Sequence, residues 1–208
     1  MFSKDDLPLL AILRGVKAKD LQPLLEVFQN TNIRFLEITM NTDSAADLIK
    51  EIKSLASGKM KIGAGTVLNM NDLDTALSAG AEFIVSPSVL DSVIGSCVSQ
   101  NIPVIPGALS PTEIQKAWDL GATMVKVFPS SVFGPSYIKA VKGPYNQIKI
   151  MAVGGVGDKN ISEFFLNGAD AIGFGASIIK PEWLDTDRYD LIEDSLISLI
   201  NNFKYKSR

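Results

Sequence analysis

The chain has 208 residues, of which 46% are hydrophobic and 21% charged, a balance that fits one sizeable globular domain spanning 1–208. Its net charge of −3, without a clustered basic patch, gives no reason to expect nucleic acid as a partner. There is no histidine, so the commonest general base and zinc ligand are both missing, and a single cysteine, Cys97, excludes an internal disulfide.

Strand-like runs alternate with helical stretches from end to end. A strand over Leu9–Val16 precedes a helix over Asp20–Gln29, and a second over Arg34–Met40 precedes Ser44–Leu55. Strands at Lys61–Val67 and Phe83–Ser88 lead to helices at Asn71–Ser78 and Leu90–Ser99. Pro103–Ala108 and Met124–Pro129 lead to Pro111–Asp119 and Ser136–Lys142. Ile148–Val153 and Ala171–Gly175 are the last two strands, with a helix over Lys159–Asn167 between them and a closing helix over Arg188–Phe203.

The punctuation agrees with this spacing. Gly80, Gly121 and Gly168 each follow a helical stretch and precede alanine, where a left-handed helix stop is expected. Ser110-Pro111-Thr112-Glu113 marks a helix start, with proline just inside and glutamate in the first turn. Eight strand–helix units in this length predict an α/β chain folded as a (β/α)8 TIM barrel. A doubly wound sheet is the rival, but neither Gly63-Ala64-Gly65-Thr66-Val67-Leu68 nor Gly173-Phe174-Gly175-Ala176-Ser177-Ile178 has the third glycine of a dinucleotide loop. No apolar run reaches roughly 18 residues, so no membrane span is expected. The N-terminus, interrupted by Lys4, Asp5 and Asp6, has no apolar signal core, and a cytoplasmic location is expected.

Lys126 stands out inside Ala122-Thr123-Met124-Val125-Lys126-Val127-Phe128-Pro129. Alternation places Met124, Lys126 and Phe128 on one face and the two valines on the other, so Lys126 is expected to point into the barrel. A desolvated lysine has a lowered pKa and serves as a nucleophile toward carbonyls; the alternative is a structural lysine paired with a carboxylate. Glu37, in Phe35-Leu36-Glu37-Ile38-Thr39, shares its face with Phe35 and Thr39. It is either the other half of a plain ion pair or a proton shuttle whose pKa is raised by burial. Arg14 closes the first strand, as a fork for carboxylate or phosphate or as a partner of loop carbonyls.

The glycine-rich stretches Val153-Gly154-Gly155-Val156-Gly157 and Gly173-Phe174-Gly175-Ala176-Ser177 each precede a helix, an arrangement that suits phosphate binding by bare N–H groups as well as simple turns. Thr66 supplies a hydroxyl at the end of strand three. Ser86-Pro87-Ser88 and Pro106-Gly107 read equally well as plain turns, and Trp118 and Trp183 as packing residues.

Ala11-Ile12-Leu13-Arg14-Gly15, Leu36-Glu37-Ile38-Thr39, Gly63-Ala64-Gly65-Thr66-Val67-Leu68, Val125-Lys126-Val127-Phe128-Pro129 and Gly154-Gly155-Val156 occur in order along most of the chain. As a set they resemble the class I 2-keto-3-deoxy-6-phosphogluconate (KDPG) and 4-hydroxy-2-oxoglutarate aldolases, with their 2-keto-3-deoxy-6-phosphogalactonate (KDPGal) branch. The resemblance implies a (β/α)8 barrel, commonly a homotrimer, that cleaves such a sugar acid to pyruvate and glyceraldehyde 3-phosphate. It implies that Lys126 forms a Schiff base with pyruvate and that Glu37 is the general acid/base. It implies that Arg14 and Thr66 bind the pyruvate carboxylate end or orient nearby groups, and that Gly154, Gly155 and the Gly175–Ser177 turn hold the phosphate; Phe128, on the same face as Lys126, is a further substrate-binding candidate.

No cofactor and no metal are expected, since the metal-dependent aldolase route usually needs histidine ligands. Many gluconate-branch members carry arginine where this chain has Asn41 and Pro-Thr where it has Ala152-Val153; Asn41, Val153-Gly154-Gly155-Val156 and the run Phe128–Lys139 look more like the galactonate branch, whereas Thr39 stands where that branch often has proline. Two other classes compete with an aldolase: a catalytically silent phosphosugar-binding barrel, and a phosphate-binding barrel decarboxylase or isomerase, for which no second acid/base is evident.

Overall fold

A computed structural model describes residues 1–203; the last five residues of the expected 1–208 span lie outside the described residues. Within them, nine strands alternate with nine helices. The first half runs β1 (Leu9–Leu13), α1 (Ala18–Asn30), β2 (Phe35–Thr39), α2 (Ala45–Ala56), β3 (Lys61–Gly65), α3 (Met70–Ser78), β4 (Ile84–Val85), α4 (Asp91–Ser99) and β5 (Val104–Ile105). The second half runs β6 (Gly107–Ala108), α5 (Pro111–Asp119), β7 (Val125–Val127), α6 (Pro135–Lys142), β8 (Ile150–Val153), α7 (Ile161–Leu166), β9 (Ala171–Phe174), α8 (Pro181–Asp185) and α9 (Tyr189–Asn201).

All strand pairings are parallel, in the order β5-β4-β3-β2-β1-β9-β8-β7-β6. The two ends of that order, β5 and β6, are neighbours in the chain and are separated only by Pro106. Proline has no N–H to give to a ladder. Its carbonyl still accepts from Lys126 N–H at 2.9 Å, while Ile105 O on the other side accepts from Ser86 N–H at 3.3 Å. The two short pieces are therefore one stave of a closed ring of eight, and the chain is a (β/α)8 barrel. The expected six-residue runs at the fourth and fifth positions shrink to ladders of two residues each. The single expected fifth strand is split at its proline.

The faces follow the alternation read from the sequence. Leu36, Ile38, Val125 and Val127 belong to the shell between strands and helices. Leu10, Phe35, Phe83, Val85, Ile105, Met124, Met151, Val153 and Ala171 fill the barrel interior. Each of these except Ala171 contributes roughly 1.5–3 kcal/mol relative to exposure. Phe2 packs edge-on against Phe35 with ring centroids 4.4 Å apart, covering the N-terminal end of the barrel.

The start of α5 is a capping box: Ser110 Oγ accepts from Glu113 N–H, and Glu113 Oε2 accepts from Ser110 N–H at 2.7 Å. Gly121, at φ +94°, carries the expected left-handed stop after that helix, as do Gly80 and Gly168 after theirs. The helix α8 was not foreseen. Tyr189 OH donates to buried Asp20 Oδ1 at 2.7 Å, fastening α9 to α1 and completing the outer ring. No described helix is long and apolar enough to cross a membrane.

Candidate active site

The sequence-predicted site residues converge on one rim. Lys126 and Phe128 lie on and after β7, Gly154 and Gly155 after β8, and Gly175 and Ser177 after β9. Arg14 follows β1, Glu37 lies on β2 and Thr66 follows β3. In the ring these are six consecutive positions, β7-β8-β9-β1-β2-β3, with Lys126 and Glu37 within their strands and the other residues just past the C-terminal strand ends.

Lys126 follows Met124 on the inward face and is buried. Desolvation is the main influence on its ammonium and lowers its pKa; Glu37 opposes that shift and Arg14 adds to it. The Nζ atom stands 4.8 Å from the centroid of the Phe128 ring, which is itself half-exposed at the mouth. Burial thus favours the free base, while the Phe128 ring face and Glu37 favour the ammonium.

Glu37 is almost wholly buried, and its Oε2 has no hydrogen-bond partner. Burial pushes its pKa up to about 7, against the pull of Lys126 and Arg14 toward the ionised form. No ion pair at 4.0 Å or closer joins it to Lys126, so the plain salt bridge weighed as an alternative is not what holds either group. A carboxyl with both protonation states accessible near neutrality, and with a free oxygen inside the barrel, is suited to moving a proton.

Arg14 is exposed, with Nη2 at 3.5 Å from Thr66 Oγ1. Thr66 is held at φ +55°, a left-handed conformation that costs a side-chain-bearing residue on the order of 1 kcal/mol or more. Gly15, next to Arg14, donates its N–H to Thr42 Oγ1 at 3.0 Å, and that hydroxyl shares a 3.0 Å hydrogen bond with Thr39 Oγ1. Both threonines are buried. They clasp the end of β1, which carries Arg14, to the end of β2, which carries Glu37. Sequence reasoning noted Thr39 but missed Thr42, which lies outside the strand pattern.

Gly154 and Gly155 adopt φ +95° and +71°, which demands glycine. A Cβ at Gly155 would fall 2.6 Å from Ser131 Cβ, so the turns after β7 and β8 pack directly on each other. Ser130 is buried between them. Its hydroxyl donates to Val127 O at 2.7 Å and accepts from Val153 N–H at 3.1 Å. Among the described residues, the N–H groups of Gly154, Gly155, Ala176 and Ser177 have no acceptor.

Both glycine stretches precede a helix: α7 begins at Ile161, and α8 follows a turn in which Ile178 and Ile179 N–H bond to Gly175 O. The unengaged N–H groups lie in the turns ahead of those helices. The Ser177 hydroxyl donates to Val156 O at 2.6 Å and links the two turns; its N–H, not its hydroxyl, is the unengaged donor.

Fold and rim together define a parallel barrel protein with a buried lysine and a buried carboxylate facing one another at the C-terminal mouth. The chain belongs to the KDPG and KHG aldolase family, which it matches over residues 4–195. It is 34% identical over 175 residues to the 2-dehydro-3-deoxy-6-phosphogalactonate aldolase of Escherichia coli (strain K12), covering 84% of this chain and 85% of that one. It superposes on the solved native KDPGal structure with a TM-score of 0.90 at 30% identity, over 97% of each chain. Its TM-score with KDPG aldolase from Legionella pneumophila is 0.86 at 27% identity, over 93% of this chain and 94% of that one. That crystal holds pyruvate captured as a covalent carbinolamine.

Proposed function

We propose that the protein is a class I aldolase, a carbon–carbon lyase that reversibly cleaves a 2-keto-3-deoxy-6-phospho sugar acid to pyruvate and glyceraldehyde 3-phosphate. The observation that carries this reading is the buried Lys126 opposite a buried Glu37 whose Oε2 has no partner. Neutral Lys126 Nζ attacks the C2 carbonyl of the substrate, and loss of water leaves an iminium. Glu37, as carboxylate, takes the proton of the C4 hydroxyl. The C3–C4 bond then breaks, its electron pair moves into the iminium to give an enamine, and C4 departs as the aldehyde. Protonated Glu37 returns the proton to C3, and water hydrolyses the iminium to free pyruvate and Lys126.

Arg14, next to Thr66, holds the carboxylate of the keto acid, and Phe128 lines its side. The N–H groups of Gly154, Gly155, Ala176 and Ser177 receive the phosphate. Asn41 is exposed at the rim after β2, so the phosphate is held without an arginine from that position. That neutral side chain, with the likeness to the E. coli enzyme, favours the phosphogalactonate-type acid; 4-hydroxy-2-oxoglutarate, lacking a phosphate, is a second substrate of the same chemistry. The barrel acts as one domain in the cytoplasm and as a homotrimer. Exposed Val132 and Phe133, 58% and 54% accessible in the turn after β7, are apolar surface that subunit contact would cover.

Borohydride reduction in the presence of pyruvate, followed by peptide mass mapping, tests the assignment. A reduced pyruvyl adduct on Lys126 is the expected result. A folded protein without that adduct would instead be a catalytically silent phosphosugar binder.

A further inference from the structure

Two inward-facing positions of β3 carry no side chain, and a different neighbour occupies the space at each. A Cβ at Gly63 would lie 2.3 Å from the buried Phe83 ring. A Cβ at Gly65 would lie 2.2 Å from Glu37 Oε1 and 2.6 Å from its carboxyl carbon, both far below any tolerated contact. Gly65 is not among the residues with positive φ, so its missing side chain serves space and not backbone freedom. The strand register sharpens the point. Glu37 is paired with Gly63 and Thr39 with Gly65, yet the Glu37 carboxylate lies over Gly65. The side chain therefore leans two residues along the strand, toward the C-terminal mouth where the other site residues are.

We infer that Gly65 is a positioning residue for the proposed aldol cleavage: the space above its Cα is the seat that lets the Glu37 carboxylate lean toward the mouth opposite Lys126. The inference rests on the reading of Glu37 as the acid/base. A methyl at position 65 meets the far end of a side chain that can swing away, so the fold survives while the carboxylate leaves its place. At Gly63 the same methyl meets an enclosed ring.

The test uses the full-length protein and exchange of pyruvate methyl hydrogens with deuterated water, which needs the proton shuttle but no phosphate. In Gly65→Ala the reduced pyruvyl adduct on Lys126 is expected to form as in the parent. Exchange is expected to lose about 100-fold in kcat, the scale of an ångström-sized misplacement, with KM within about twofold. Glu37→Gln should also lower exchange, and the Glu37→Gln/Gly65→Ala double variant should be no slower than Glu37→Gln alone.

Unchanged exchange in Gly65→Ala beside a slow Glu37→Gln overturns the inference, as do effects that multiply in the double variant. Unchanged exchange in Glu37→Gln overturns the reading of Glu37 itself, and the inference with it. Should Gly65→Ala not fold, Glu37→Ala/Gly65→Ala decides. Recovery of fold and adduct places the clash on Glu37, and no recovery overturns the inference.

Discussion

Glu37 and Lys126 stand on opposite walls of the barrel: β2 and β7 are four ring positions apart whether counted through β3, β4 and the split β5/β6 stave or through β1, β9 and β8. A small keto acid bound between them meets a nucleophile on one side and a proton carrier on the other. Lys126→Ala should abolish both the borohydride-trapped adduct and aldol cleavage. The loss should be at least about 1000-fold, as is usual when a nucleophile is removed. The circular dichroism spectrum should be unchanged, because the substitution removes the buried amine along with its stem and leaves no new unpaired polar atom at position 126. Retained cleavage in this variant would sink the assignment of Lys126.

The raised pKa of Glu37 is also a statement about stability. Its carboxyl ionises at about 7 in the folded barrel against an ordinary value of 4.5, so between those limits the native state binds more protons than the unfolded chain. Stability from this group is fully present below pH 4.5 and is lost as the pH rises through about 7. The loss is on the order of 3 kcal/mol. Glu37→Gln does not titrate, so its stability relative to the parent should improve between pH 4 and pH 8 by about that amount. Urea denaturation of both proteins at the two pH values reads the difference directly, and an equal gap at both would contradict the buried, unpartnered carboxyl.

Arg14 acts on both central groups in the same sense. Its charge lowers the pKa of Glu37 by attraction and that of Lys126 by repulsion. Arg14→Ala should therefore move the limb of the pyruvate-exchange pH profile that follows Glu37 ionisation to higher pH. At neutral pH it should also slow adduct formation on Lys126, since less of the amine is neutral. Lost contact with the keto-acid carboxylate should raise KM for pyruvate by about tenfold, a modest figure because the guanidinium is exposed and screened. A profile that does not move with Arg14→Ala would remove it from the electrostatics of the site.

Much of this arrangement was legible in the sequence because strand alternation is a local property. Met124 and Lys126 face inward while Val125 and Val127 face the helices, as period two demanded, and Glu37 faces inward with Phe35 for the same reason. The capping box at Ser110 and Glu113 is equally local. What could not be read depended on contacts distant along the chain. The break at Pro106 depends on the ring closing through that stave. The clasp through Thr42 joins two strand ends, and the Ser177 hydroxyl is spent on a carbonyl in the neighbouring turn. Gly63-Ala64-Gly65 reads as a generally small approach. That its two glycines serve different neighbours, Phe83 and Glu37, follows only from the β2–β3 register.

Gly155 separates binding of the phosphate from the chemistry at Lys126. Its φ of +71° and the 2.6 Å that a Cβ would leave to Ser131 mean that Gly155→Ala must shift the turn after β8 against the turn after β7. The backbone strain alone is about 1–2 kcal/mol. Because the donors proposed for the phosphate are N–H groups of that turn, the shift should raise KM for the phosphorylated sugar acid by about tenfold. Exchange of pyruvate methyl hydrogens involves no phosphate and should remain within about twofold, since Lys126 and Glu37 lie on β7 and β2 and not in the turn. Steady-state cleavage kinetics and exchange measured on the same preparation separate the two effects. Equal loss in both assays would mean that the turn supports the barrel mouth as a whole rather than the phosphate.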